Sequence, residues 1–373
     1  MKENTLRKLE SYSQSIWLDY IQRHLIESGG LQRLIDEDGL GGVTSNPSIF
    51  DKAIEGSDDY DDAIRTLAHQ GKSVDEIYQA LTTEDVGRAA DIFKPTYDRL
   101  QGSDGFVSIE VNPHLAHDVQ GTNDAARQLW KILSRPNVLV KVPATMEGLQ
   151  CIRQLISEGI NINVTLLFGL PRYRMVAEAY VSGLEDRAAK GLPIENIASV
   201  ASFFLSRIDI LVDHILEKFS VDDAKRLRGQ MAISSARIAY QTYKRIFGSE
   251  RFRKLAYLGA RTQRVLWAST STKNPEYPDT KYVEALIGSD TINTLPPETL
   301  EAYRDHGNPA PRLEDNLEEA YTNLDRLAGL GIDIDKITQQ LEDEGIEKFN
   351  KPYDSLMSNL EEKRNSTCLA EAG

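Results

Sequence analysis

Cysteine is nearly missing from this chain: 373 residues contain only Cys151 and Cys368, far apart and without CxxC spacing. That excludes a disulfide framework and fits free thiols in a reducing compartment. Long apolar runs are missing too. No segment reaches the ~20 apolar residues that span a bilayer, and the polar start MKENTLRKLE lacks the apolar stretch of a secretory signal. Basic charge is scarce. A formal net charge of −14 offers no basic footprint for a phosphate backbone, so nucleic acid is not an expected partner. A small phosphorylated ligand is still compatible with this charge, provided that a few local cations overcome the overall field. No GxGxxG or P-loop follows a strand-like run, and no HExxH or nucleophile elbow is present. These absences leave a soluble, cytoplasmic protein with no membrane partner as the expectation.

The hydrophobic (40%) and charged (27%) fractions are those of a globular chain. Eight short apolar runs read as strands: 15–20, 40–45, 105–111, 137–142, 162–168, 197–204, 263–269 and 290–295. Helix-like patterns lie between them, as in 122–133, 145–159 and 171–190. Pro171 and Pro297 sit where a helix can begin, and Gly159 and Gly191 where one can end. Eight strands alternating with helices predict a parallel, closed (β/α)8 TIM barrel of the α/β class. The chain exceeds the ~250 residues of a minimal barrel. Additional helices are therefore expected near 52–101, near 206–258 and in a C-terminal helical extension after about 312, all within a single domain over 1–373. A doubly wound open sheet is the alternative, but it lacks its glycine-rich signature.

In a parallel barrel the active site lies at the C-terminal strand ends. Read in order, those ends carry Asp19, Thr44 with Asn46, Glu110, Lys141, Asn163 with Thr165, Ser202 and Ser269. Period-two alternation puts Asn163 and Thr165 on one face, and likewise Ser202 and Phe204. Lys141 stands out within VLVKVPAT (138–145), an otherwise apolar run. Alone, it reads first as a lysine whose stem packs among valines while its head reaches water. The chemical reading is a desolvated amine able to attack a carbonyl and form a Schiff base. Glu110 on the preceding strand suits proton transfer during imine formation, with a water between it and the amine to soften their direct opposition. Asp19 reads equally as a helix cap or as a base for a substrate hydroxyl. His114 and His117 lack a third matched ligand and read as solvated residues, Cys151 as core, and the acidic runs SDDYDD (57–62) and LEDEG (341–345) as solvated helix ends.

Taken together, GVTSNPSIF (42–50), SIEVNP (108–113), VLVKVPAT (138–145), ININVTLLF (160–168) and WASTSTKNP (267–275) resemble the transaldolases of the longer bacterial type. The tail EGIEKFNKPYDSLMSNLEEK (344–363) is similar to that family's C-terminal helix, so the resemblance covers about residues 11–363. It implies a barrel enzyme without metal or other cofactor. The reaction would carry a dihydroxyacetone unit from sedoheptulose 7-phosphate to glyceraldehyde 3-phosphate, giving erythrose 4-phosphate and fructose 6-phosphate. In this reading Lys141 forms the imine and Asp19 is acid and base at the C4 hydroxyl. Glu110 and Thr165 position a water, and Thr44, Asn46, Asn163 and Ser202 hold hydroxyls. Arg207 matches a phosphate-binding arginine. A second arginine of shorter members, two residues past the serine matched by Ser269, is replaced by Ser271, with Lys273 the nearest cation.

Two rivals stand beside this one. A fructose 6-phosphate aldolase releases dihydroxyacetone instead of transferring it, but typically has glutamine and tyrosine where this chain has Glu110 and Phe204. A catalytically silent sugar-phosphate binder would have lost the lysine or the acids. Sugar phosphates are the expected partners in each case, and the faces of the extra helices leave a homo-oligomer open.

Overall fold

The computed structural model describes residues 4–369, and side chains as far as residue 366, which leaves the Cys368 side chain outside the described residues. Eight parallel strands close a barrel in chain order. They are β1 (Gln14–Leu18), β2 (Gly42–Val43), β3 (Phe106–Glu110), β4 (Val138–Pro143), β5 (Ile162–Leu167), β6 (Ser199–Phe204), β7 (Arg264–Ala268) and β8 (Thr291–Leu295). All eight expected runs supply a strand. The run 40–45 contracts to a two-residue ladder, because Thr44 to Asn46 already turn into the helix Pro47–Glu55.

The strands read as apolar runs because both their faces are covered. Every residue of β4, β5 and β6 is buried. Trp17 fills the lower interior, its ring 6.3 Å from that of Phe106 and its indole N–H donating to Asp104 at 2.8 Å. Gly42 makes room for it. A Cβ there would lie 2.6 Å from the indole ring and 2.6 Å from the Phe106 carbonyl oxygen.

The helices start and stop where their caps direct. Thr145 accepts from the Gly148 N–H at the head of Met146–Glu158, and Gly159, at φ 95°, ends it. Asp118 caps Val119–Leu133 and so begins it three residues before the expected 122. Pro171 falls in the first turn of Leu170–Ala189, and Pro297 opens Pro297–His306. Cys151 is buried in the core.

The three expected regions hold the additional helices. Asp61–His69 and Val74–Arg99 follow β2; Ser206–Leu216, Asp222–Leu227, Met231–Phe247 and Glu250–Tyr257 follow β6; Leu317–Gly329 and Ile334–Leu369 form the tail. The last helix crosses the barrel mouth and is tied down along its length. Glu342 pairs with Arg172 (3.2 Å), Asp354 with His114 (2.7 Å) and Lys363 with Asp61 (2.6 Å), while Arg364 donates to the Lys72 carbonyl (2.9 Å). This corrects the reading of 341–345 as a solvated helix end: the segment lies inside the helix, with Leu341 and Glu342 buried.

Gly42→Ala is expected to destabilise the fold by about 1–3 kcal/mol through overpacking against Trp17. Urea unfolding measures this, and an unchanged midpoint would contradict the tight interior.

Candidate active site

Lys141 sits on β4 in register with Glu110 of β3 on one side and Asn163 of β5 on the other. It is only 4% exposed, so the packing-with-snorkel reading does not describe it. Its ammonium donates to the Ser45 carbonyl at 3.0 Å and stands 3.4 Å from Glu110 Oε2. The ring of Phe349, from the C-terminal helix, has its centroid 5.9 Å from the same nitrogen. At this distance amine and carboxyl are in direct ion-pair contact, and burial eases their opposition. Burial pushes the Glu110 carboxyl up to about 7, although Lys141 pulls it down, so Glu110 is far more often neutral than an ordinary glutamate.

Asp19 lies just beyond β1, its backbone N–H bonded to the Leu295 carbonyl of β8 at 2.8 Å. Its carboxylate accepts from the Thr44 hydroxyl at 2.6 Å. Since that uses the only Thr44 proton, the 2.8 Å contact between Thr44 and Thr294 is donated by Thr294. Burial raises the Asp19 carboxyl above its usual range, while the Lys141 charge and the Thr44 bond oppose the rise. The helix after β1 has its N-cap position at Gln22, three residues on, so helix capping does not account for Asp19.

Asn163 is held on both sides. Its amide N–H donates to Ser108 Oγ (3.0 Å), and its carbonyl accepts from Ser202 Oγ (2.7 Å). Among the described residues, Thr165 Oγ1 is a buried polar atom without a hydrogen-bond partner, and buried Glu110 Oε2 has only the Lys141 ammonium near it, a rare condition for such groups. Above them opens a cleft of about 630 Å³, lined among others by Asp19, Thr44, Asn46, Lys141, Ser202, Phe204, Arg207, Ser269 and Lys273. Asn163, Thr165 and Glu110 are not part of that lining, and Asn163 and Thr165 are wholly buried. Asn46 has a second task, its side-chain oxygen capping the helix Pro47–Glu55 through the Ile49 N–H at 3.1 Å.

The outer end of the cleft is cationic. Arg207, in the first turn of Ser206–Leu216, stacks 5.7 Å from the Phe204 ring centroid. Its Nη1 is buried without a partner among the described residues, and burial lowers its basicity. Ser269 bonds Ser206 Oγ at 2.9 Å and adopts φ 55°, an uncommon conformation for a non-glycine residue that fixes the turn out of β7. Lys273 is exposed at the rim, as are Lys52 and Lys348. A larger cleft of about 760 Å³ lies at the opposite end of the strands, among Arg7, Ser15, Asp104 and Arg264, away from every residue of this constellation. His114 and His117 bond different carboxylates, Asp354 and Glu147.

The sequence reading missed Ser45, Ser108, Thr294 and Phe349. The first three act from neighbouring strands or their ends as backbone or hydroxyl partners, and serine and threonine are too common to signal this. Phe349 belongs to the recognised tail, but its position over Lys141 is set about two hundred residues away along the chain.

A family model described as transaldolase/fructose-6-phosphate aldolase matches residues 16–360. Among similar curated proteins, a transaldolase of Trichodesmium erythraeum is 47% identical over 97% of this chain and 98% of its own. Those of Thiobacillus denitrificans and Mycolicibacterium smegmatis are 45% and 46% identical, covering 96% and 94% of this chain and 99% and 95% of their own.

The raised Glu110 pKa has a definite sign in stability. Between about pH 4.5 and 7 the folded chain holds a proton that the unfolded chain has released. The Glu110 contribution to stability is therefore full below this window, falls as pH rises through it, and is lost above. In urea unfolding, the stability of the parent relative to Glu110→Gln should decline across the window and then level off. A constant difference would mean that burial does not perturb this carboxyl.

Proposed function

The chain belongs to the transaldolase/fructose-6-phosphate aldolase family, and on that premise we propose a transaldolase that works through a Schiff base on Lys141. It would be cytoplasmic, built as one barrel domain over 1–373, and would move dihydroxyacetone from sedoheptulose 7-phosphate to glyceraldehyde 3-phosphate. The observation that carries the site assignment is an almost fully buried amine that lines a cleft between two carboxyls of raised pKa.

The neutral Lys141 amine attacks the ketose C2 carbonyl, and the carbinolamine loses water to give the iminium. Glu110 and Thr165, with spare hydrogen-bonding capacity beneath the cleft, are suited to hold the water that carries protons in this step. Asp19 then takes the proton of the C4 hydroxyl. The C3–C4 bond breaks, the aldose leaves, and the bond electrons enter the iminium to form an enamine. Attack of the enamine carbon on the acceptor aldehyde, with proton return from Asp19, reverses the step on a new partner. Water then releases the product ketose.

Thr44, Asn46 and Ser202 stand in the lining to receive hydroxyls. Asn163, engaged on both sides, presents Ser202 as an acceptor by taking its proton. Arg207, with a buried nitrogen that has no partner among the described residues, is the primary phosphate ligand, and Lys273 a secondary one at the rim. Phe349 and the helix that bears it roof the amine and keep the enamine dry, which favours transfer over release. Phe204 and Glu110, in place of the tyrosine and glutamine typical of the aldolase rival, support the same choice.

Borohydride reduction with fructose 6-phosphate should leave a stable adduct on the peptide bearing Lys141. An adduct elsewhere, or none despite turnover, would sink the assignment. Asp19→Ala should still trap the imine while slowing turnover on the order of a hundredfold or more; near-normal turnover would remove Asp19 from its role. Phe349→Ala should increase acceptor-independent release of dihydroxyacetone, read by a coupled assay for the free triose.

A further inference from the structure

The loop between β7 and the short helix Lys281–Glu284 carries Ser269, Ser271 and Lys273 into the cleft. It is fastened at both ends to one helix, Ser206–Leu216, the helix that carries Arg207. At its start, the Ser206 N–H donates to the Ser269 carbonyl at 3.0 Å, beside the serine–serine contact at 2.9 Å. At its far end, Lys281 donates to Asp209 Oδ2 at 2.9 Å and the Tyr282 hydroxyl donates to the same oxygen at 2.8 Å. Between them, the Tyr277 hydroxyl donates to Asp213 Oδ2 at 2.7 Å.

The helix divides these tasks by face. Arg207 and Ile210 line the cleft, whereas Asp209 and Asp213, one turn apart, point to the loop. Their other oxygens anchor the chain from the opposite side: Asp209 Oδ1 accepts from the Ala232 N–H and Asp213 Oδ1 from the Gly229 N–H, each at 2.8 Å. Lys281 Nζ sits 3.9 Å from the Tyr277 ring centroid. Gly229, at φ +67°, leaves space for this packing, since a Cβ would fall 2.7 Å from Tyr277 Cζ and 2.8 Å from Lys281 Nζ.

Asp209 is 2% exposed and the Lys281 side chain 11%. A pair so buried adds little net stability, yet losing one partner leaves an uncompensated charge. Such a pair is better placed to hold two segments in one geometry than to strengthen the fold. We infer that Asp209 is a positioning residue for the phosphate end of the cleft, setting the Lys273 loop against the helix of Arg207. This rests on the reading of Arg207 and Lys273 as phosphate ligands. Asp209 touches no substrate; it acts through the loop.

The test is Asp209→Asn, which keeps side-chain size but removes the charge facing Lys281. The KM for sedoheptulose 7-phosphate should rise on the order of ten- to a hundredfold, the scale of a misplaced binding group, with kcat nearly unchanged. Borohydride trapping of unphosphorylated dihydroxyacetone on Lys141 should be unaffected. Tyr277→Phe should shift KM in the same direction by a smaller factor, and it keeps the inference testable if the asparagine variant does not fold. Adding Lys281→Met to Asp209→Asn should recover part of the loss, because no unpaired ammonium then remains. An unchanged KM, or equal loss for phosphorylated and unphosphorylated substrates, overturns the inference. Failure of the parent enzyme to trap any adduct would instead overturn the Schiff-base reading.

Discussion

Closing a parallel barrel around a buried ammonium is the constraint on which the other features depend. Lys141 has almost no access to water, so the fold must supply what water would. It does so with one carbonyl, one carboxyl and an aromatic face, each from a different part of the chain. Glu110 bears the reciprocal cost. Beside a cation it would ordinarily remain ionised, yet burial brings it near neutrality. The same burial acts on Asp19 across the mouth, where the Lys141 charge and the Thr44 hydroxyl limit the rise.

The helices outside the barrel repeat work for that site. The final helix is anchored by an interior ion pair, a histidine–aspartate bond and lysine and arginine contacts near its end, and these hold Phe349 over the amine. The helix after β6 performs a similar service at the outer end, presenting Arg207 to the cleft while its far face grips the next loop. Extra length beyond a minimal barrel therefore goes into a roof and a brace. Both are built from charged side chains whose partners lie far away in sequence.

The strands were legible because a doubly covered strand can tolerate little but apolar residues, and the exceptions then stand out. Lys141 among valines and Glu110 after Ile109 are such exceptions. Asn163 was legible as a site residue but not as a deep one. Its depth follows from Ser108 and Ser202 approaching from both sides, and neither approach leaves a mark in local sequence. The acidic run 341–345 misled for a related reason: Glu342 looks solvated until Arg172 is brought to it. The 3.4 Å approach of Lys141 to Glu110 was not legible either, since the register of β3 and β4 sets it.

By itself, the sequence determined eight strands, their order of use, and the acid, amine, amide and hydroxyl groups at their ends. Periodicity and residue chemistry are local properties, so they survive being written on a line. Only tertiary structure decided that Phe349 covers Lys141, that Glu110 rises toward neutrality, and that Asp209 ties a distant loop to the helix of Arg207. Each of these depends on burial or on pairs far apart in the chain. Desolvation is a property of everything around a group, and no short stretch of sequence contains it.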